Sequence, residues 1–405
     1  MALVVQKYGG SSVADTEKIN RVAQRVVKTR DAGSDVVVVV SAMGKTTDGL
    51  ISLAKEIMDE PPEREMDMLL ATGEQQSIAL LAMAVIAQGY DAISFTGPQV
   101  GIVTDGFYSN ARIKGINDRK ILEEVRKGNI VIVAGFQGVT IDNHITTLGR
   151  GGSDTTAVAI AAALNADMCD IYTDVDGVYT ADPRVVPDAR KLDVISYDEM
   201  LEMASLGAKV LHSRAVVLAK KFRVPLRVRS SFKEGEGTVI REETESMEEI
   251  VVSGVTSSKD QAKVSLLSVP DKPGIAAQVF QTIAEENINI DMIVQNVSEH
   301  GMTTLSFTVS KDDLSRTLDV ARRIKDDIGA QKIEFDEKIA EVSVIGIGMR
   351  SHAGIAARMF SALAEENINI QMISTSEIKV SCVIDEEYTE RAVKAIHDKF
   401  ELGRS

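Results

Sequence analysis

The first 230 residues alternate between short apolar runs and longer amphipathic or alanine-rich stretches. Strand-like runs occur at residues 3–5, 36–40, 130–134 and 170–173, and the second consists of five valines. A run without polar alternation is typical of a strand buried on both faces, as in a parallel sheet. The stretches between the runs predict helices at residues 19–29, 75–88, 116–127, 155–165 and 197–209. This alternation predicts an α/β fold, an αβα sandwich with a mostly parallel central sheet.

The chain beyond residue 260 repeats itself. Residues 274–293 and 354–373 are identical at 14 of 20 positions, so two copies of one unit are present. Each copy predicts a ferredoxin-like βαββαβ order, the first over 263–336 and the second over 340–405. The second lacks a last strand, because its final helix nearly reaches the end of the sequence. We therefore predict that a strand at 250–256, before the first copy, completes the sheet of the second.

The segment between the two halves, residues 232–249, is rich in Gly and Glu and poor in apolar residues. We interpret it as a linker, which gives a first domain over residues 1–231.

The charge balance excludes several classes of partner. The chain has 405 residues, 45 of them Lys or Arg and 60 of them Asp or Glu, and a formal net charge of −15. Without a block of basic residues, nucleic acids and anionic membranes are disfavoured as partners. Cys169 and Cys382 have no metal-binding spacing. There is no pattern of a signal peptide or of an uncharged membrane span, so a cytoplasmic location is expected.

Three glycine-containing turns stand where a nucleotide kinase would need them, and the first two follow predicted strands. They are KYGGSS at 7–12, SAMGKTT at 41–47 and LGRGGSDTT at 148–156. Glycines let backbone N–H groups approach a phosphate, and Lys7 adds a cation. The second turn fails the P-loop pattern, which needs glycine where Val39 stands. Each turn alone also fits an ordinary strand–helix connection.

The third turn and a later stretch add polar chemistry. Ser153 or Asp154 can cap the helix that follows the third turn, and the Arg150 guanidinium suits a carboxylate. Residues 172–184, YTDVDGVYTADPR, follow another predicted strand. Their spacing lacks the bidentate glutamate of an EF-hand calcium loop, so a solvated loop is the alternative to a ligand site.

Taken together, the motifs KYGGSS, VVSAMG, GRGGSDTT, YTDVDGVYTADPR and GAKVLH resemble the aspartate kinases of the amino-acid kinase superfamily, in this order and over essentially the whole chain. The repeated unit is similar to a tandem pair of ACT domains, which sense amino acids. The resemblance implies an amino-acid kinase fold followed by two ACT domains. It also implies ATP-dependent phosphorylation of the side-chain carboxylate of L-aspartate, the first step towards lysine, threonine and methionine.

The resemblance also assigns roles to residues. Lys7 and Lys209 would flank the transferring phosphoryl group, and Asp174 would hold those lysines in place. Mg²⁺ would be held mainly by the nucleotide phosphates, without a metal site in the protein. The implied ATP-binding residues are Lys7, Tyr8, Gly9, Gly10, Ser41, Thr173, Asp174, Tyr179, Asp182, Arg184, Lys209 and Val210. The implied aspartate-binding residues are Thr47, Glu74, Arg150, Gly151, Gly152, Ser153 and Asp154.

The ACT pair implies feedback regulation by lysine, threonine or both, and a homo-oligomer formed through these domains. The implied effector-binding residues are Asp271, Gly274, Ile275, Ala276, Asn289, Ile290, Asp291, Gln295, Ser298, Thr308, Asn369 and Ile370. Met247 permits an internal start, which would give a mixed tetramer with a separate regulatory subunit. Asn287 and Asn367 also fit simple helix ends.

Two alternatives remain at this point. One is a related kinase that acts on glutamate or acetylglutamate, against which Glu74 and the GRGGSD motif favour aspartate. The other is a catalytically silent amino-acid sensor. Intact Lys7, Arg150, Asp174 and Lys209 argue against that interpretation.

Overall fold

A computed structural model describes residues 1–206, 210–243, 251–296 and 300–403. These residues form two compact units. The first contains residues 1–178, 191–205 and 210–243. The second contains residues 179–190, 206, 251–296 and 300–403.

The first unit consists of strands and helices in alternation. Its strands are β1 (Ala2–Tyr8), β2 (Ser34–Val40), β3 (Ala92–Phe95), β4 (Ile102–Thr104), β5 (Ile113–Ile116), β6 (Ile130–Ala134), β7 (Gln137–Val139), β8 (Ile145–Thr147), β9 (Met168–Thr173), β10 (Val194–Ser196), β11 (Leu226–Ser230) and β12 (Thr238–Arg241). Its helices are α1 (Thr16–Asp31), α2 (Thr46–Ile57), α3 (Glu63–Ile86), α4 (Arg119–Arg126), α5 (Gly152–Leu164), α6 (Tyr197–Ser205) and α7 (Ser213–Phe222).

A large sheet with the strand order β10-β12-β11-β9-β1-β2-β6-β3 forms the centre of this unit. Its strand pairs are parallel except for β11 with β12. A second, smaller sheet of the same unit has the strand order β5-β4-β7-β8. Helices α1 and α3 share an apolar core with Val36, Val38 and Val40 of β2. Because side chains alternate along a strand, α5, which packs on β1, β2 and β9, covers the opposite face. The predicted αβα sandwich is confirmed.

The local sequence explains where these elements begin and which side chains they bury. The five valines of β2 are buried because this strand lies between β1 and β6. Helix α1 buries Ile19, Val22 and Val26, spaced by three or four residues. It starts after Asp15, whose carboxylate accepts the Lys18 N–H at 2.8 Å and so satisfies a free donor of the first turn.

The interpretation of residues 232–249 as a linker is wrong in part. Thr238–Arg241 forms β12, which pairs with β11 and β10 in the large sheet. Thr238 and Ile240 are fully buried in it. A Cβ on Gly237, at φ +76°, would lie 2.1 Å from the carbonyl oxygen of Val228, so only glycine permits this turn. The surrounding Glu residues conceal a four-residue strand, and the first domain extends beyond residue 231.

The second unit contains the two repeats. Its strands are β13 (Gly254–Ser258), β14 (Ala262–Pro270), β15 (Ile293–Gln295), β16 (Met302–Val309), β17 (Lys332–Asp336), β18 (Ile339–Ile345), β19 (Met372–Thr375) and β20 (Lys379–Asp385). Its helices are α8 (Ile275–Glu285), α9 (Leu314–Ile324), α10 (Ile355–Glu365) and α11 (Thr389–Lys399). Asn287 and Asn367 have positive φ just after α8 and α10, which is the conformation of a helix end.

Each repeat has an antiparallel sheet of four strands, β15-β16-β14-β17 in the first and β13-β18-β20-β19 in the second. Strand β13 pairs with β18 from Gly254 opposite Ile345 to Ser258 opposite Glu341. A strand that precedes the first repeat therefore occupies, in the second sheet, the place that β17 takes in the first. This is the sheet to which the sequence assigned residues 250–256, although the strand starts at Gly254. Residue 250 lies outside the described residues.

We expect Gly346→Ala to destabilise the second unit by about 1–3 kcal/mol, because overpacking a filled site forces the backbone to shift. A Cβ at this position would lie 2.3 Å from the carbonyl oxygen of Val251, which leads into β13. Urea denaturation measures the change. Gly115→Ala is the control, since nothing lies within 4 Å of its added Cβ. Equal losses of unfolding free energy in the two variants would contradict this packing of residue 251 on the second repeat.

Candidate active site

The carboxyl ends of neighbouring parallel strands bring the first two predicted glycine turns together. Tyr8, the last residue of β1, is in register with Val40 of β2 and with Tyr172 of β9. The turns after these strands also bond directly, since the Gly44 N–H donates to the Gly10 carbonyl at 3.0 Å. A Cβ on Gly10 would lie 2.7 Å from the Ala42 carbonyl oxygen. The first and second predicted turns therefore form one continuous backbone surface.

Lys7 and Asp154 form an ion pair at this edge of the sheet. The Lys7 Nζ lies 2.6 Å from the Asp154 Oδ1, and both side chains are only 12% exposed. A Cβ on Gly9 would lie 3.5 Å from the same Nζ, so the ammonium group lies over the first glycine turn. The pair thus joins the residue predicted to meet the phosphoryl group to one predicted to hold aspartate. Shielding from water strengthens such a pair relative to a surface one.

This pair corrects the expectation that Asp174 holds Lys7. Asp174 is exposed at the end of β9, where its Oδ1 accepts the Thr173 hydroxyl at 3.1 Å. Within the described part of the chain, the ion-pair partner of Lys7 is Asp154. The reason is geometric, since α5 packs on β1 and so brings Asp154 to Lys7, whereas Asp174 is exposed.

Glycines bring the first turn of α5 into place. Gly149 and Gly151 have φ values of +74° and +68°. A Cβ on Gly151 would lie 2.2 Å from the His212 ring, and one on Gly152 would lie 2.8 Å from the Phe136 ring. The first N–H groups of a helix lack intrahelical partners, which makes this end of α5 favourable for an anion.

Glu74 of α3 is the second buried acid of the site, with 3% of its surface exposed. Its Oε1 accepts the Ala42 N–H at 3.1 Å, and its Oε2 has no hydrogen-bond partner among the described residues. The contact depends on Gly73, whose added Cβ would lie 2.9 Å from the Ala42 Cβ. Burial raises the pKa of Glu74 to about 7, against the lowering effect of the Ala42 N–H. A ligand cation at Oε2 would stabilise the charged form.

Family models match both halves of the chain. The amino acid kinase family matches residues 2–230, and ACT domains match residues 264–329 and 342–400. The aspartokinase of Pseudomonas aeruginosa is 56% identical over 404 residues, which are 99% of this chain and 98% of that protein. The chain belongs to the aspartokinase family.

Two solved structures of E. coli aspartokinase III share the fold of this family member. One is a complex with aspartate and ADP in the R state, with a TM-score of 0.82. The other is a complex with lysine and aspartate in the T state, with a TM-score of 0.78. Each is 28% identical, and the alignment covers 98% of this chain and 99% of that chain.

Other predicted residues of the first unit lie around the same edge. Ser41 follows β2 and donates its N–H to the Tyr8 carbonyl at 3.1 Å. Thr47 is half-buried in the first turn of α2, and Arg150 is exposed between the glycines before α5. Val210 is half-buried before α7.

The prediction for Tyr8 needs a correction. Its side chain is fully buried and stacks on Tyr172, with ring centroids 4.6 Å apart. Its hydroxyl bonds with Gln6 inside the core. The side chain of Tyr8 therefore cannot reach a nucleotide, and only its backbone borders the site. Within the KYGGSS motif, Tyr8 is therefore a packing residue of the core.

Three predicted nucleotide contacts, Tyr179, Asp182 and Arg184, lie in residues 179–190, which belong to the second unit. The Arg184 Nη2 lies 2.7 Å from the Asp182 Oδ2, and this hydrogen bond keeps the pKa of Asp182 below its ordinary value.

Five of the predicted effector residues of the first repeat line a cavity of about 330 Å³. The lining includes the predicted residues Asp271, Gly274, Ile275, Ala276 and Gln295.

The remaining effector candidates lie elsewhere in the second unit. Asn289, Ile290 and Asp291 lie between α8 and β15, and the Asp291 N–H donates to the carbonyl of buried Thr308 on β16 at 3.1 Å. Asn369 and Ile370 take the matching place between α10 and β19.

Three residues named in the sequence analysis, Lys209, Met247 and Ser298, lie outside the described residues.

Two residues that were not predicted, buried Asp67 and half-buried Arg214, hold the loop before Arg150. Asp67 of α3 accepts the Thr147 N–H at 2.8 Å and the Thr147 hydroxyl at 2.6 Å. Arg214 of α7 donates to the Leu148 carbonyl at 2.7 Å. The only sequence signal for Asp67 is its spacing of seven residues from Glu74, which places both acids on one face of α3.

Among the described helices, α3 alone has the length and apolar composition of a membrane span. Just over half of its most apolar window is buried, and it packs on α1, β3 and β6. Its apolar character therefore fits a core helix of the sandwich.

We expect Glu74→Gln to remove a pH dependence of stability. Folding raises the pKa of Glu74 from an ordinary 4.5 to about 7, so the folded state favours the protonated form. Stability is therefore highest at low pH and falls as pH rises, by about 2 kcal/mol between pH 5.5 and 8. Urea denaturation of the ligand-free protein at the two pH values measures the difference.

The control for this experiment is Glu63→Gln, in the exposed first turn of the same helix. It should keep the slope of the unaltered protein. If Glu74→Gln shows the same change of unfolding free energy with pH as the unaltered protein, burial does not raise the pKa of Glu74.

Proposed function

We propose that this protein transfers the γ-phosphoryl group of ATP to the side-chain carboxylate of L-aspartate, which yields 4-phospho-L-aspartate and ADP. Membership of the aspartokinase family supports this reaction, as does the E. coli relative with bound aspartate and ADP. The observation that carries the proposal is the shielded Lys7–Asp154 pair at the glycine turns. The product is the first intermediate towards lysine, threonine and methionine, and the proposed location is the cytoplasm.

Repulsion between the two anionic substrates is the main obstacle. Two like charges 4 Å apart cost roughly 4 kcal/mol at an effective dielectric constant of 20. The net charge of −15 adds to this at long range. Local positive charge must therefore dominate, and Lys7, Arg150 and the first turn of α5 supply it.

The nucleophile needs no base. An aspartate side chain has an ordinary pKa of about 3.9, so its carboxylate is already ionised at pH 7. One carboxylate oxygen forms a bond to the γ-phosphorus, the bond from that phosphorus to the bridging oxygen breaks, and ADP leaves with the electron pair. Lys7 stabilises the charge on the phosphoryl oxygens during transfer. We assign the matching role on the other side to Lys209, with Asp174 as its orienting carboxylate.

Substrate aspartate carries one ammonium and two carboxylate groups, and the site offers a partner for each. The free Oε2 of buried Glu74 suits the ammonium group. Arg150 and the first amides of α5, from Gly152 to Asp154, suit the carboxylates. We place Thr47 and Gly151 beside them.

We propose that the nucleotide phosphates follow Gly9, Gly10 and Ser41, with further contacts from Thr173 and the 179–190 segment. The described residues contain no group of three or more His, Cys, Asp or Glu side chains arranged to hold a metal ion. We propose that Mg²⁺ arrives with ATP and is held mainly by its phosphates, where it would neutralise part of their charge.

Regulation is proposed to act through two ACT domains, at 263–336 and 340–405. The E. coli relative binds lysine in its T state, and we propose lysine, threonine or both as effectors here. The cavity beside Asp271 and Gly274 at the start of α8 suits an amino acid. We further propose a homo-oligomer assembled through these domains, or a mixed tetramer if Met247 is an internal start.

We expect Lys7→Ala to lower turnover at least about 100-fold, because it removes a cation that faces developing charge. A coupled assay of ADP release, with ATP and aspartate both saturating, measures the loss. Lys18→Ala is the control, since Lys18 is on the surface of α1 beside Asp15. Lys209→Ala should resemble Lys7→Ala. Turnover of Lys7→Ala near that of the unaltered protein would refute the assigned role. Glutamate and acetylglutamate in the same assay test the alternative substrates.

We expect Gln295→Ala to shift inhibition by lysine plus threonine to several-fold higher concentration, because Gln295 lines the effector cavity. Initial rates over a millimolar range of both amino acids measure the shift, each variant against its own uninhibited rate. Gln331→Ala, an exposed glutamine outside the cavity, is the control. If neither amino acid changes the rate of the unaltered protein, the proposed regulation is wrong.

A further inference from the structure

Residues 179–190 are part of the core of the second repeat, although they lie between β9 and β10 in the chain. Ala181 and Val186 are buried in one apolar cluster with Val255 of β13 and Ile396 of α11. This cluster also contains Leu402, after α11. The segment that carries the proposed nucleotide contacts is therefore packed against elements of the regulatory half.

Thr180 fixes the backbone of this segment. Its carbonyl accepts the Val255 N–H at 2.7 Å, which ties the segment to β13. Its own N–H donates to the Arg190 carbonyl at 2.9 Å, and its Oγ1 accepts the Arg190 N–H at 2.9 Å. The two ends of the segment are thus held together at Thr180.

The Thr180 hydroxyl also meets His397 of α11. The Oγ1–Nε2 distance is 3.0 Å, and both residues are only 1% exposed. Because Oγ1 already accepts from Arg190, its hydrogen is available for Nε2 of a neutral ring. Burial lowers the pKa of His397, which favours that neutral ring.

The end of the chain packs on the same place. A Cβ on Gly403 would lie 2.9 Å from the Asp188 carbonyl oxygen and 3.4 Å from the His397 Cε1. The His397 carbonyl accepts the Leu402 N–H at 3.2 Å. The ring of His397 is therefore enclosed between the segment and the C-terminal turn, and its bond to Thr180 is shielded from water.

We propose that Thr180 and His397 position the nucleotide-binding segment, so that the last helix of the second ACT repeat sets the affinity for ATP. The inference depends on the proposed nucleotide role of Tyr179, Asp182 and Arg184. These residues lie within four positions of Thr180 in sequence. Holding the segment in its binding conformation beforehand lowers the ordering cost when ATP binds. Neither Thr180 nor His397 is assigned to the reacting atoms, so their effect should be on ATP binding and not on turnover.

The arrangement also connects the second repeat to the proposed nucleotide contacts of residues 179–190. Both β13 and α11 belong to its sheet and its core. An effector that binds one arrangement of this repeat better than another would shift the segment with it. The resulting change would be in the KM for ATP.

Thr180→Val and His397→Leu test the pair, since both remove the hydrogen bond between the two side chains, and Thr180→Val also removes the acceptor of the Arg190 N–H. We expect His397→Leu to raise the KM for ATP about five- to tenfold, the effect of one buried hydrogen bond, and Thr180→Val to raise it at least as much. Turnover and the KM for aspartate should change less than about twofold. Thr180→Ser and His397→Gln keep polar partners and should restore most of the affinity.

The matched control is Ser381→Ala, in β20 of the same repeat. It removes another buried hydroxyl bond, the 2.6 Å contact with Ser343, and should leave the KM for ATP unchanged. The double variant Thr180→Val/His397→Leu should raise this KM no more than the worse single variant, because both act on one interaction. An equal effect of Ser381→Ala, additive single effects, or loss of turnover at unchanged KM would overturn the proposal.

Two measurements separate this inference from the proposed function, the coupled assay of ADP release and calorimetric titration with ADP. If the unaltered protein releases no ADP in response to aspartate, the proposed function fails. If it is active but Thr180→Val binds ADP as tightly as the unaltered protein, the positioning role fails. Weaker ADP binding by the factor seen in the KM supports it.

Discussion

The ion pair between Lys7 and Asp154 is the interaction on which the rest of the site depends. It connects a central strand of the sheet to the first turn of α5, and it keeps a positive charge beside the first glycine turn. An ammonium group this shielded requires a counter-charge, since removal of one partner of a buried pair leaves the other uncompensated. The Asp154 carboxylate supplies that counter-charge, 2.6 Å from the Lys7 Nζ. In the proposed reaction, a phosphate oxygen takes over part of that pairing.

Close backbone approach is the second constraint, and it explains why glycine occurs where it does. The site is assembled from turns that touch each other with no space for a Cβ, at Gly10 against Ala42 and at Gly151 against His212. Gly73 has the same function within a helix, since it lets α3 come near enough for Glu74 to accept the Ala42 N–H. The acid that we assign to the substrate ammonium is thus positioned by the residue before it. Gly73 thus provides the space for the close approach, and Glu74 provides the negative charge.

Sequence patterns identified the elements with strong periodicity and missed those that depend on tertiary contacts. The valine run of β2 and the repeat of 80 residues were sufficient for the sandwich and for the two ferredoxin-like sheets. Strand β12 was missed because four residues in a Glu-rich segment carry no periodic signal, although pairing with β10 and β11 stabilises them. The Lys7–Asp154 pair joins residues 147 positions apart, and no local pattern encodes that contact. The error at Tyr8 is the opposite one. The motif predicts that Tyr8 contacts the nucleotide, whereas its ring is buried in the core.

The second unit includes a segment that lies, in the sequence, between two stretches of the first unit. The backbone leaves the first unit after Val178 and returns at Lys191, and the intervening residues are folded with the second repeat. Strand β13 then completes the sheet of that repeat before the first repeat begins. The second repeat is therefore built from three separate stretches of chain, one of which lies inside the sequence of the kinase fold. Such interleaving makes independent movement of the 179–190 segment costly, because it would break buried apolar contacts and the bond between Thr180 and Val255. The regulation that we propose can therefore act through the 179–190 segment itself, because this segment already belongs to the second repeat.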